Sequence, residues 1–492
     1  MIVEMLSRSI LEAIEAMEHS GLWEPMKTVP EPRFYWTDST EPVTIAGMPL
    51  SAPSKLQDRF SPVFFVFSPS GSRQSTLFAH PLSDSLSILL KIPCYYKAMN
   101  HVSSLLRSLN RYEWALLAGT AALFLPFQFA AASLALILVF FLVSGRIPAA
   151  LRAQTGARWL YAFVILELAV SAFYGNWMGC LNAGGYLLAA LYIAVYRQNL
   201  TRNLFTIMLE LMIAMSWLAA FWGLVEFQAV SARKGYDFFD FVIQNSPRDR
   251  INSTFMNANF YATMCVWFIL FCVYEYVRHR NLPLRLYYVV TALLNFFMLF
   301  LTGCRTALLP FLFIFPLFFG FAGKKKLFAF SVGMEILALI LVLSFPEIIP
   351  RGSNLSTLFS RIKIWDGAVV LIQMHPLFGM GPVTYGFMYG TMGFHKAPHA
   401  HNLLLESLTS YGLVGTTLIT GYFVTLIRET MGIMQEHPTT FSLIISFYFT
   451  ALVLGLLDFT LNFPVTGITF LMVANASCMW KQPVTQPAAT AA

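Results

Sequence analysis

Two histidines lie where a long polar loop gives way to an apolar helix in the C-terminal part of the chain. His399 and His401 belong to the sequence Pro-His-Ala-His-Asn at 398–402, and Leu403 begins the apolar run. Histidine exchanges protons near neutral pH, and an ionisable group at a membrane boundary is costly to keep there without a role. The pattern therefore predicts proton-transfer chemistry at a membrane face.

Two glycines follow within the same apolar run. Gly412 and Gly415 belong to the sequence Gly-Leu-Val-Gly at 412–415. Small residues allow another backbone to approach a helix closely inside a membrane. We therefore expect a second segment of the chain to pack against this part of the helix.

The elements that must hold these residues are membrane-spanning helices. Of the 492 residues, 57% are hydrophobic and only 12% are charged, whereas a soluble domain of this size carries far more charge. We predict an all-α, polytopic integral membrane protein with about 12 transmembrane helices and a large extracytoplasmic loop before the His401 helix. The predicted apolar segments are 114–127, 129–144, 159–174, 179–196, 204–230, 255–277, 286–302, 305–321, 327–345, 401–427, 441–457 and 464–480.

The basic residues follow a membrane topology. They recur in alternate loops, and the positive-inside rule then places both termini in the cytoplasm. This distribution explains the net charge of +7 without a nucleic-acid partner. We divide the chain into a cytoplasmic, partly irregular N-terminal extension (1–112), a transmembrane domain (113–481) and a disordered C-terminal tail (482–492).

Two predicted outer loops, 231–254 and 346–400, carry positive charge against this rule. Arginine binds phosphate well because its planar fork offers permanently charged, bidentate donors. The loops therefore predict an extracytoplasmic site for phosphate, with contact to lipid headgroups as the alternative. The basic residues are Arg233, Lys234, Arg248, Arg250, Arg351, Arg361, Lys363 and Lys396, joined by Arg305 at the outer start of a helix.

Three motifs in this order resemble the bacterial O-antigen ligase and O-antigen polymerase superfamily. The first runs from Arg250 to Asn259, the second from Thr302 to Leu309, and the third combines His401 with the two glycines and with 375–381, His-Pro-Leu-Phe-Gly-Met-Gly. The resemblance covers roughly 114–480. The chain departs from the family pattern at four positions, where it has Ser253, Met256, Ala258 and Cys304.

The resemblance implies an inverting glycosyltransferase of the bacterial cytoplasmic (inner) membrane. Its donor would be a glycan on undecaprenyl pyrophosphate. Its acceptor would be a hydroxyl of lipid A-core, of another glycan or of a protein, at the outer face of the bilayer. The first hypothesis is an O-antigen ligase, and the alternative is an O-antigen or exopolysaccharide polymerase that uses the same donor.

The residues fit that chemistry. An acceptor hydroxyl needs a base, which would be His401, and a leaving pyrophosphate needs fixed cations, which would be Arg305 and Arg250. The further substrate-binding candidates are Arg248, Arg361, His399, Asn259, Trp365 and Tyr385. Simpler roles stay open: His401 as a helix cap, Asn259 as a tie between loop and helix, and the two aromatic residues as interface anchors.

No metal or other cofactor is expected. Divalent ions prefer clustered oxygen ligands. The acids predicted on the outer side are few and poorly spaced for such a site: Asp237, Asp240, Asp249, Glu347 and Asp366. We therefore predict a metal-independent enzyme in which arginines neutralise the pyrophosphate.

A transporter or flippase for an anionic lipid is the alternative from another functional class. Glu167, Glu210 and Glu226, within predicted helices, are the features that favour it. Paired broken helices or an internal repeat, which transporters usually show, are not evident in the sequence.

Overall fold

The computed structural model describes residues 105–237, 239, 249–345, 349 and 356–480. The predicted N-terminal extension up to residue 104 and the predicted tail at 482–492 lie outside the described residues. So do four residues of the outer loops to which predictions were attached: Arg248, Arg351, Asp240 and Glu347.

The described residues form helices and contain no strand, so the all-α prediction is confirmed. After a helical turn at 105–108, the elements are α1 (Arg111–Ala122), α2 (Phe127–Val143), α3 (Ile147–Ala153), α4 (Ala157–Phe173), α5 (Trp177–Asn199), α6 (Arg202–Lys234), α7 (Ala258–Arg278), α8 (Leu282–Leu301), α9 (Arg305–Leu308), α10 (Phe311–Phe321), α11 (Lys325–Ser344), α12 (Ser356–Met374), α13 (Thr384–Met392), α14 (Leu403–Met431), α15 (Pro438–Gly455) and α16 (Pro464–Ala474), with short 3-10 helices at Thr460–Asn462 and Ala476–Trp480.

Among the described residues, seven helices are long and apolar enough to cross a membrane: α5, α6, α7, α8, α11, α14 and α15. The number rises to eight if α2 and α3, which meet at 96°, form one broken span. Every predicted apolar segment overlaps a helix, but several of these helices are shorter than the bilayer requires. The chain is therefore a polytopic membrane protein, and the predicted count of twelve spans is not confirmed.

The predicted loop at 346–400 contains two helices, α12 and α13. On α12, Ile364, Ala368 and Leu371 recur at helical spacing and are buried together. They pack against Tyr385 of α13 and against Ala397 and Ala400 in the segment that leads to the histidines. A small apolar core, separate from the main bundle, thus holds in place the chain segment that leads to His401.

α7 lies at the centre of the bundle and is the most buried of the seven spanning helices. Trp267 and Phe271 of α7 both stack on Phe447 of α15. Aromatic stacking over a large buried area holds the two helices in one fixed register. Their ends near Asn259 and Gly455 are therefore rigid supports for nearby side chains.

α14 is broken at Gly412, which has φ 60° and ψ −169°. The amides of Leu413 and Val414 donate to the carbonyls of Pro376 and Leu377, both at 2.9 Å. A Cβ on Gly412 would lie 2.5 Å from the Gly379 nitrogen, so only glycine fits here. The predicted close approach of a second backbone is confirmed, and the approaching segment is the 375–381 motif.

Candidate active site

His401 bonds to a carboxylate from a distant part of the chain. Its Nδ1 lies 3.0 Å from Oδ1 of Asp458, which follows α15. The cap of α14 is Asn402, whose Oδ1 accepts from the amides of Leu404 and Leu405. Asn402 therefore fills the capping role considered for His401 and leaves the imidazole to face Asp458. Within the described part of the chain, Nε2 of His401 makes no hydrogen bond.

The backbone at His401 is strained. Its φ of 49° is one that residues other than glycine rarely adopt. The neighbouring residues hold it in place: the amide of Ala400 donates to Glu406 Oε2 at 2.7 Å, and the Asn402 amide nitrogen Nδ2 donates to the carbonyl of Leu456 at 2.9 Å. Strain of this kind persists where the surroundings over-determine it and is concentrated at functional sites.

Asp458 is buried and receives several donors. Its Oδ1 accepts from the amide of Phe459 at 2.8 Å, and Oδ2 accepts from Nδ2 of Asn259. Burial alone would raise the pKa of this carboxyl, but the hydrogen bond to His401 and the positive charges around it hold the pKa well below its usual range. Asp458 is therefore an anion at neutral pH.

Asn259 connects this carboxylate to the first predicted arginine. Arg250 donates from Nη2 to Asn259 Oδ1 at 2.8 Å and from Nε to the carbonyl of Thr302 at 2.6 Å. The first two sequence motifs therefore meet at Arg250. Both ends of the Asn259 amide are occupied, so the structure supports the tie between loop and helix over direct binding of sugar.

The loop that carries Arg250 is held by Glu226. The carboxylate Oε2 of Glu226, on α6, accepts from the amides of Asn252 at 2.7 Å and Ser253 at 2.8 Å. A partly buried acid that satisfies two loop amides has a structural role. Glu226 therefore gives no support to the transporter reading.

Arg305 and Arg361 lie in the same region as Arg250. Arg305 donates from Nη2 to Thr357 Oγ1 at 2.8 Å, which links the start of α9 to α12. Burial lowers the pKa of Arg361; the charges of Arg305 and Arg250 lower it further, and Asp458 opposes them. Among the described residues, the Arg361 guanidinium has no hydrogen-bond or ion-pair partner. The fold thus brings the three predicted arginines into one region, in which Arg361 interacts with the charge of Asp458 and Arg250 is linked to it through Asn259.

His399 stands beside His401, with ring centroids 4.2 Å apart. Its Nδ1 accepts from the amide of His401 at 3.2 Å, and its Nε2 lies 3.9 Å from Asp458 Oδ1. Burial, with the neighbouring charge of His401, lowers the pKa of His399 to about 4. A histidine that stays neutral and bonds to the backbone at His401 positions that residue.

The two aromatic candidates lie in different environments, and only Tyr385 departs from the prediction. Tyr385 is fully buried in the small core, and its hydroxyl donates to the carbonyl of His395 at 2.8 Å, so its ring cannot stack on a sugar in this structure. Trp365 is partly buried on α12, four residues after Arg361 and so on the same helix face. Trp365 stays a candidate for contact with substrate.

Sequence reasoning missed Asp458. The signal was available: Asp458 is the only acidic or basic residue between His437 and Lys481, and it ends an apolar run. A lone acid at the edge of a membrane helix indicates a functional group.

His399, His401 and Asp458 also offer ligand atoms that lie within 4.8 Å of one another, a spacing that could hold a metal ion. Metal ligation at Nε2 of His399 requires that nitrogen to be unprotonated. The backbone amide that donates to Nδ1 favours the opposite tautomer, with the proton on Nε2. The three side chains therefore fit a hydrogen-bonded network better than a metal centre.

Residues 290–420 match the family model described as O-antigen ligase. The matched segment includes Arg305, Arg361 and His401. The match confirms the predicted resemblance to the O-antigen ligase superfamily and supports a glycan transferase of the ligase or polymerase type. No curated protein matches the chain.

Proposed function

Because the chain carries an O-antigen ligase domain within a bundle of apolar helices, we propose that it transfers a glycan from an undecaprenyl-pyrophosphate carrier to an acceptor hydroxyl. The reaction takes place at the outer face of the bacterial cytoplasmic membrane, with both termini in the cytoplasm. The observation that carries this proposal is the continuous link from His401 through Asp458 and Asn259 to Arg250. It joins a proton acceptor to a phosphate-binding cation.

His401 acts as the general base. Its Nδ1 bonds to the Asp458 anion, so Nε2 is the nitrogen that takes the proton of the acceptor hydroxyl. The acceptor oxygen forms its bond to the anomeric carbon as the bond from that carbon to the pyrophosphate oxygen breaks. The electron pair of the broken bond leaves with the pyrophosphate, and a single displacement inverts the anomeric centre. Asp458 stabilises the imidazolium that forms.

The arginines stabilise the departing pyrophosphate. Arg250 is buried and tied to Asn259 and Thr302, so it supplies a fixed positive charge. Arg305 and Arg361 are only partly buried and are better placed for direct contact with phosphate oxygens. Arg361, a second-rank candidate from the sequence, therefore takes an equal place with Arg305. Preorganised cations of this kind strengthen binding as charge develops in the transition state.

The proposal is tested by transfer from an undecaprenyl-pyrophosphate oligosaccharide with detergent-purified protein. His401→Ala should lose activity by roughly 10²–10⁴-fold, the usual contribution of a general base. His395→Ala is the matched control, because His395 is exposed in the same loop and contributes only its backbone carbonyl to Tyr385. Near-normal transfer by His401→Ala would refute the mechanism.

The identity of the acceptor distinguishes a ligase from a polymerase. The same assay can offer lipid A-core and a second carrier-linked glycan in competition. Product on lipid A-core supports the ligase, whereas extended glycan on the carrier supports the polymerase.

A further inference from the structure

A cavity with several polar side chains lies at the opposite end of the bundle from His401. It has a volume of about 280 Å³ and is bounded by the starts of α6 and α15, the end of α7 and the last described residues. The active-site residues Asn259 and Asp458 lie at the other ends of α7 and α15. The 21 residues of α7 span about 30 Å, so the cavity and the active site face opposite leaflets.

Two arginines from different helices line this cavity. Arg202 lies over the ring of Trp480, with its guanidinium carbon 3.9 Å from the ring centroid. Arg278 directs its guanidinium at Thr206, with both terminal nitrogens 3.4 Å from Oγ1, and pairs with Glu275. Both side chains are exposed. Arg278 is fixed by its ion pair and Arg202 by the indole, so two permanent cations converge on one space.

The rest of the cavity is also complementary to an anion. α15 begins there without a side-chain cap, and its first residues, Pro438, Thr439 and Thr440, form part of the lining. The positive end of an 18-residue helix therefore faces the cavity together with the two arginines. Two acids oppose an anion here: Glu436, which is exposed in the lining, and Glu275, which pairs with Arg278 behind it.

We propose that this cavity binds the phosphate of an anionic lipid in the leaflet opposite the active site. Phe205, Met479 and the Trp480 ring supply apolar lining, which suits the glycerol and acyl part of a lipid better than a free ion. Residues 481–492 contain no acidic side chain. Lipid binding at this cavity is independent of the transfer reaction.

Binding is measured by native mass spectrometry of purified full-length protein titrated with phosphatidylglycerol, with phosphatidylcholine and inorganic phosphate as separate arms. We expect one tightly held phosphatidylglycerol, with weaker binding of the zwitterionic lipid. Displacement of the lipid by inorganic phosphate at similar concentration would assign the site to free phosphate. Equal retention of both lipids and no effect of phosphate would overturn the proposal.

Three variants make the test specific. Arg202→Gln should weaken phosphatidylglycerol binding about tenfold, the usual value of a charge-assisted contact. Glu436→Gln should strengthen it, because it removes the opposing charge. Arg280→Gln, an exposed arginine outside the cavity lining, should leave binding unchanged. Equal effects of Arg202→Gln and Arg280→Gln, or no gain with Glu436→Gln, would contradict a site at this cavity.

Discussion

His401 and Asp458 are 57 residues apart in the chain, yet the ring nitrogen Nδ1 lies 3.0 Å from the carboxylate. Each residue stands at the end of an apolar helix, and the packing of α14 against α15 brings the two ends together. A buried anion beside a base fixes the orientation of the imidazole and stabilises its protonated form. The pairing therefore assigns Asp458 a role that the sequence motifs do not include.

Asp458→Asn should reduce transfer sharply while the protein still inserts and folds. The amide keeps the shape of the side chain but removes the charge that supports an imidazolium, so we expect a loss of at least about 10²-fold in kcat. Purified-protein kinetics would separate this effect from a change in KM. A matched variant, Asp366→Asn on the exposed face of α12, should retain normal activity. A rise in KM alone, with kcat unchanged, would contradict the assigned role.

Lysine should not restore the activity that the arginines of the site provide. Arg305→Lys and Arg361→Lys keep the positive charge but lose the bidentate fork, so each should lower kcat/KM by roughly 10- to 10²-fold. Arg280→Lys, exposed at the other end of the bundle, is the control and should be silent. If all three variants behave alike, the positive charge of these arginines sets the membrane topology and does not bind phosphate.

His399 should make the protein less stable in mild acid. Its folded pKa of about 4 lies below the ordinary value of 6.5, so between those pH values the unfolded chain binds a proton that the folded chain does not. Stability from this residue is therefore present above about pH 6.5 and is lost as pH falls towards 4.

The measurement is the melting temperature of purified protein at pH 7.5 and pH 5. His399→Asn keeps an acceptor for the His401 amide but cannot titrate, so its loss of stability on acidification should be smaller than in the wild type. Identical pH dependence in the two proteins would show that His399 is not held neutral.

The break in α14 should depend on glycine. Gly412→Ala forces an alanine into backbone angles that only glycine adopts readily and drives a Cβ against the 377–379 backbone. We expect a loss of about 1–3 kcal/mol from the strain alone. Gly333→Ala is the control, since a Cβ there meets no atom within 4 Å and alanine favours a helix. Thermal unfolding of both variants checks the difference, and equal stability would contradict the observed backbone.

Local sequence patterns are sufficient to predict most of the fold. Long apolar runs leave helices as the only way to satisfy backbone groups in lipid, and every predicted run overlaps a helix. The helices α12 and α13 were not predicted, because their apolar residues face a small core of their own and the surrounding sequence is polar. The same core explains why Tyr385 is packed away from solvent.

The site was predictable only in part. His401, Arg250 and Arg305 each belong to a motif with a local pattern, and the fold brings their surroundings together through Asn259, Thr302 and Thr357. Asp458 has no motif partner nearby in sequence, so its role depends on how two helices pack. Tertiary contacts of this kind cannot be read from spacing along the chain.

Protein groups alone should drive the reaction. The most direct measurement is glycan transfer from an undecaprenyl-pyrophosphate oligosaccharide by purified wild-type protein, with and without excess EDTA. Because the charges on Arg250, Arg305 and Arg361 are unaffected by a chelator, we predict the same rate of transfer in both conditions. Loss of transfer in EDTA, restored by Mg²⁺ or Mn²⁺, would contradict the arginine mechanism and assign the phosphate-neutralising role to a metal.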